Sequence, residues 1–366
     1  MQRLSAARPL LGLLLAGAFV CAPTPAFGQV ETLDPKLITM VSLSGGDRER
    51  VQTFVQAQLA GLTSDDFTRV RRSRAALLAP LGQSSATASF RDAYAGALWP
   101  TVETLIESED AAQRLTGMRL AGGLGTERAA DRLIGLLDSD DEGIRVFAAG
   151  RLGEVLGSIT PNSATLSPEG ASRVIEALGK TIRQDPQTRA ADAAARSLGV
   201  ATEIRPGLLN DARSRAITVL SEASGERVRG AELDKGTIGF ALRASGIVRT
   251  SVAKNEAMSA PASKAAIGLG ADVLSRVLEG FDPQQDTLRE LEVGLVRAAE
   301  SVVYFSRRRH AETTGRGGQV PETDLATKLA SDNARDLRDF PTDTVQLLSA
   351  LERDYGFDRG RFVPGP

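Results

Sequence analysis

The chain has 366 residues, with 44 basic side chains against 46 acidic ones, a single histidine and a single cysteine. A formal net charge of −2 supplies no general attraction for nucleic acid or an anionic membrane surface. One cysteine cannot build a disulfide framework, so stability has to come from burial, for which this length is ample.

Residues 1–28 have the three parts of a secretory signal. Arg3 and Arg8 provide the positive start. The uncharged run Leu10 to Val20 follows and is shorter than the roughly 20 apolar residues that span a bilayer. Pro23 and Pro25 then break the helix ahead of Ala26-Phe27-Gly28, a small-x-small site that predicts cleavage before Gln29. Bulky Phe19 and Val20 in front of Cys21 argue against lipidation there. Cleavage removes Cys21 and leaves a thiol-free mature chain, expected in a bacterial periplasm or secreted, with no later segment apolar enough to cross a membrane. Arginine greatly outnumbers lysine, but it is spread through every segment, which points to genome composition rather than to anion recognition.

Beyond the signal, apolar residues recur at helical spacing. Ala130, Leu133, Ile134 and Leu137 form one such set, followed by Ile144, Phe147, Ala148, Leu152, Val155 and Leu156. Ala171, Val174, Ile175, Leu178 and Ile182 form the next, then Ile267, Ala271, Leu274 and Leu278, and last Leu288 through Phe305. Only Thr237 to Val252 leaves room for a strand. Breaks at Ser64-Asp65-Asp66, Asp140-Asp141, Ser167-Pro168 and Asp185-Pro186 supply caps for first turns, with both prolines expected inside the starting turn. Longer loops are expected at Gly157 to Leu166, Ser259 to Ser263 and Ala311 to Glu322, and a loose tail over 356–366.

Short helices in strict succession suggest antiparallel pairs, and a repeat appears among them. Leu136 to Val155 (LLDSDDEGIRVFAAGRLGEV) resembles the bacterial HEAT-like repeat through Asp138, Ile144-Arg145, Ala148-Ala149 and Leu152-Gly153. Weaker copies run from Ala111 to Gly125 and from Asp185 to Gly199, the latter with Arg189 set two residues farther from its Leu-Gly pair. The resemblance covers about residues 109–200 and leaves helical regions at 29–108 and 201–355. It implies an all-α fold, a right-handed stack of antiparallel helix pairs forming an α-solenoid. A compact helical bundle is the alternative. Phe147, on the Ile144–Ala148–Leu152 face, is expected between stacked helices.

Motifs that carry chemistry are incomplete. His310 alone, with no mature cysteine, offers no ordinary transition-metal site, and it is expected at a solvated helix end. Asp138, Asp140, Glu142 and Gly143 match the first half of a calcium loop, but the position for its closing acid is Ala149. Ser251-Val-Ala-Lys254 and Ser331-Asp332-Asn333 fit two of the three motifs of serine acylases and lack the third, so Ser251 and Lys254 are expected on a helix surface. No cofactor and no metal are expected. What remains are arginine clusters that suit an anionic partner: Arg69 and Arg72 on one helix face, Arg71 and Arg74 on another, and Arg307, Arg308 and Arg309 together. The resemblance implies a non-enzymatic scaffold or adaptor that takes a protein or peptide partner. An envelope structural subunit, or a hydrolase using paired carboxylates, is the alternative.

Overall fold

A computed structural model of the chain describes residues 32–160, 166–205, 209–254, 258–284, 287–315 and 320–363. The expected signal segment and its cleavage site at Gln29 lie outside the described residues. The helices are α1 (Pro35–Thr39), α2 (Gly45–Leu62), α3 (Phe67–Leu78), α4 (Ala88–Glu107), α5 (Ala111–Leu124), α6 (Glu127–Gly135), α7 (Glu142–Gly157) and α8 (Pro168–Gln184). They continue as α9 (Thr188–Ala201), α10 (Asn210–Gly230), α11 (Lys235–Lys254), α12 (Ala260–Glu279), α13 (Arg289–Thr314), α14 (Leu325–Leu329) and α15 (Ala334–Tyr355). The stretch from Thr237 to Val252, where a strand was conceivable, is the middle of α11.

From α2 onward each helix packs on neighbours one or two places along the chain, and this makes a stack instead of a bundle around one centre; α1 packs on α4. One row runs α3, α5, α7, α9, α11, α13, each touching the next in that order. The other runs α6, α8, α10, α12, with α15 beside α12. Short turns between rows make consecutive helices antiparallel. Alanines and glycines set the spacing. Ala148, Ala149 and Leu152 of α7 and Ala191, Ala194 and Leu198 of α9 have no exposure at all. At Gly153 a Cβ would stand 2.6 Å from Ser197 Oγ, and at Gly179 it would stand 2.3 Å from Val219 Cγ1, so glycine is what lets α7 meet α9 and α8 meet α10.

The turns repeat their chemistry as well. Ser108 Oγ accepts from Asp110 N, Asp110 caps Gln113 N at 2.8 Å, and Arg114 returns to Ser108 O at 2.9 and 3.0 Å. Ser139, Asp141 and Arg145 do the same one repeat later, with Arg145 reaching Ser139 O at 2.9 Å. In the third copy Arg183 replaces the serine, and Arg189 is exposed. Arg145 also crosses to the next turn, donating to Asp185 at 2.6 and 3.2 Å, while Arg227 of α10 donates to Asp185 O at 2.7 Å. Asp185 thus ties α7 and α10 to the turn between α8 and α9.

Four expectations about boundaries change. Pro168 opens α8, but Pro186 precedes α9, whose first residue is Thr188. Ser259 to Ser263 is the capped first turn of α12 and no loop, with Ser259 accepting from Ala262 N. The expected loop from Ala311 is helix as far as Thr314, where Gly315 takes φ 67°. The segment read as a loose tail is packed as far as Phe362, which is fully buried and stacked edge-on against Phe357. The reason lies in α12, whose side chains from Ala265 to Ser275 are all buried. A helix apolar all round needs cover on every side. Residues 357–362 provide the last side, with Arg361 paired at 3.0 Å to Asp272, which is fully buried and also paired with Arg229 at 2.5 Å.

Candidate functional site

The outward face of α3, α5, α7 and α9 combines exposed apolar side chains with several arginines, of which those on α3 and Arg119 on α5 form no ion pair among the described residues while Arg151 and Arg196 do. Asp66 caps α3 by accepting from Thr68 N at 2.8 Å, and the residue after the cap, Phe67, is turned outward with 67% of its surface exposed. Between α3 and α5 lies a groove of about 410 Å³. Its walls include Phe67, Val70, Leu115, Arg74 and Arg119. A second groove of about 540 Å³ lies between α7 and α9, lined by Val146, Phe147, Gly150, Ala193 and Val200. Phe147 stands where the two approach, with the guanidinium of Arg119 5.5 Å from its ring centre and that of Arg151 at 4.8 Å. Its ring is therefore half-buried between two cations and does not lie deep in the helix interface as the face pattern predicted.

Charge along this face is unevenly compensated. Arg151 pairs with Glu154 at 2.5 Å. Burial holds the Glu154 carboxyl above its ordinary value, against the pull of Arg151 and Arg119. Arg74 is different: its hydrogen-bond partner is the neutral Thr116 hydroxyl, at 3.5 Å. Burial, then Arg119 and Arg71, disfavour its charged form. Among the described residues, Arg69, Arg71, Arg72, Arg74 and Arg119 form no ion pair, whereas arginines elsewhere on the stack are bridged to acids repeat by repeat.

The residues singled out in the sequence take other places. Arg69 and Arg72 are exposed on α3, and Arg69 leans toward Gly61 of α2, so neither lines the groove. Arg309 donates to Val252 O at 3.3 Å and Ala253 O at 3.0 Å, closing the end of α11, and pairs with Glu312, as does Arg308. Arg307 is half-buried with its Nε shielded from solvent, so the three arginines do not share one open surface. The repeat signature is structural: Ile144, Ala148 and Leu152 are core, Arg145 holds two turns, and Asp138 pairs with Lys180 at 3.0 Å. Of the half calcium loop, Asp138 is taken by Lys180 and Asp140 gives only its backbone carbonyl to Arg145; no three candidate ligands gather among the described residues.

Ser251 is buried, contrary to the surface position expected, and its hydroxyl lies 2.7 Å from that of Thr202, tying α11 to the end of α9. Lys254 is exposed. Ser331 Oγ donates to Asp336 and accepts from Asn333 N, a turn ahead of α15. His310 is no solvated helix end: its Nδ1 lies 3.1 Å from Ser263 Oγ, and its ring meets Tyr355 edge-on at 5.1 Å. Carboxyl groups raised by burial are scattered over Glu154 on α7, Glu222 on α10 and Glu292 on α13.

No protein-family model matches the sequence. No curated protein matches it either. Among solved structures, one engineered protein is 19% identical with a TM-score of 0.35, over 68% of this chain and 97% of its own. A second engineered protein is 14% identical with a TM-score of 0.30, over 88% and 87% respectively. Importin beta, crystallised in an ammonium sulfate condition, is 12% identical with a TM-score of 0.34, over 88% of this chain and 44% of its own. At such scores the fold rests on the chain's own helix contacts.

Proposed function

We propose that the protein is a non-enzymatic scaffold that binds a protein partner across the outward face of α3, α5, α7 and α9, and that it acts outside the cytoplasm. One observation carries the reading: this face leaves Phe67 and Val200 exposed beside two adjoining grooves, the first of them lined by Arg74 and Arg119, which form no ion pair among the described residues. Open apolar side chains rimmed by polar groups are a mark of interaction surfaces. Side chains at binding anchors are most often aromatic or arginine, the two types that meet at Phe147. The signal-like residues 1–28 support export, and the exported form should begin at Gln29 by N-terminal sequencing.

The test is photocrosslinking in cells that express the protein, with a benzophenone side chain at Phe67 or Val200 and a control at Glu176, an exposed position on the opposite row. Discrete crosslinked species from the first two positions and none from the third are expected. Equal yields from all three would remove this face as the binding surface.

A further inference from the structure

The groove between α3 and α5 has a more specific character than the rest of the face. Its apolar wall is Phe67, Val70 and Leu115, and its cationic wall is Arg74 and Arg119, with Arg71 beside Arg74 on α3. Two acids also reach the rim. Asp110 is committed to capping α5, with its carboxylate on Gln113 N, while Asp65 is exposed at the end of the loop before α3. Neither pairs with an arginine among the described residues. Arg74 therefore stands partly desolvated between Arg71 and Arg119 with only the neutral Thr116 hydroxyl as partner, and an anion reaching it relieves that repulsion as well as gaining charge-assisted hydrogen bonds, while Glu154 draws on Arg119 from the α7 side. The same anion beside an exposed phenylalanine gives both parts of a recognition site, a charge to orient and an apolar side chain to anchor.

We propose that this groove takes an acidic peptide segment of the partner, its carboxylates on Arg74 and Arg119 and an apolar side chain against Phe67, Val70 and Leu115. The proposal rests on the scaffold reading. A polyanion such as nucleic acid would use the cations but has no use for the apolar wall, so a peptide fits better.

The experiment measures fluorescence anisotropy of a labelled twelve-residue peptide of glutamates around one central phenylalanine, titrated with the purified chain. A lysine counterpart and a single-stranded oligonucleotide of equal length serve as the other probes. The glutamate peptide should bind, with affinity falling steeply between low salt and about 0.5 M salt as screening shortens the reach of the charges. Arg74→Glu and Arg119→Glu should each weaken it at least tenfold. Arg215→Glu, at an exposed site on the opposite row, should change it less than twofold. Phe67→Ala should weaken it severalfold with the salt dependence unchanged.

Because Arg74 is half-buried, Arg71→Glu at an exposed position provides a second reversal that does not depend on tolerance in the core, and melting curves confirm that each variant is folded. Equal binding of the glutamate and lysine peptides, or tighter binding of the oligonucleotide, would overturn the proposal. So would reversals at Arg71, Arg74 and Arg119 that leave the affinity unchanged in folded protein. If Phe67 crosslinks in cells to a basic segment, the scaffold reading survives and this one falls. If the glutamate peptide binds as described but no crosslink forms from Phe67 or Val200, the scaffold reading falls instead.

Discussion

Asp185→Ala is the sharpest probe of the stack, because its carboxylate joins Arg145 of α7 to the turn between α8 and α9. The side chain is 4% exposed and that of Arg145 is 13% exposed, so this pair is far less solvated than surface bridges between repeats such as Arg173–Asp131 and Lys180–Asp138. The substitution removes two charge-assisted bonds from Arg145 and the acceptor for Gln187 N at 2.8 Å. Removing one partner of a fully buried pair costs about 3–5 kcal/mol. Here Arg145 keeps Ser139 O and Asp140 O and some water, which offsets part of that loss, and about 2–4 kcal/mol is expected. Asp185→Asn keeps one oxygen for Gln187 N but loses the charge and the oxygen that accepts from Arg145 Nε, so it should cost somewhat less than alanine, about 1–3 kcal/mol. Urea titration followed by far-ultraviolet dichroism measures both, and the Arg145→Ala, Asp185→Ala double mutant gives the coupling. A loss below about 1 kcal/mol for Asp185→Ala, or a coupling near zero, would show that the repeats are held by apolar contacts alone.

Three further outcomes follow from side-chain surroundings. Phe147→Ala should cost about 1–2 kcal/mol in the same titration, because its ring is half-buried between Arg119 and Arg151. A value of about 4 kcal/mol would place it in the core after all. Phe362→Ala should cost about 3 kcal/mol, the loss of a fully buried ring, and should expose α12 to hydrogen exchange; unchanged protection there would mean that residues 357–362 do not cover it. Hydrogen bonds from the Ser167 hydroxyl and amide hold Glu127 below the ordinary carboxyl value. A carboxylate depressed in the folded state stabilises above its unfolded value and loses that contribution as the pH falls through the lower folded one. Glu127→Gln should therefore be less stable than wild type at pH 7, and the gap should shrink as the pH falls through the lowered folded value. A pH-independent gap in urea midpoints would contradict this.

Much of the helical rhythm was readable because burial in a stack imposes a simple spacing. Ile144, Ala148 and Leu152 are core as their positions indicate, and the caps at Asp66, Asp141 and Ser167 are where short polar side chains precede apolar runs. What spacing could not reveal is contact between units. Asp185, forty residues from Arg145, looks like an ordinary turn acid until the chain is folded. Glycine and proline made 356–366 resemble a tail, yet the all-round apolar character of Ala265 to Ser275 was a sign that α12 needed another cover. Phe147 fits the apolar face by position, but a helix wheel cannot tell the edge of that face from its centre. Arg119 was overlooked for a related reason. A single arginine on a helix surface becomes part of a groove only through α3, which packs against α5 without any repeat signature to announce it.

The glycines at the crossings have a consequence for shape. Gly153 spaces the row that contains α7 and α9, while Gly179 spaces the row that contains α8 and α10. Adding a methyl group at one of them acts as a wedge on one row only, so the array must bend away from the thickened side. A wedge at Gly153 would reshape the groove between α7 and α9, which Gly153 itself lines, without altering a single side chain of the one between α3 and α5. Trading glycine for alanine at that buried crossing would therefore retune one anchor point while leaving the other as it is.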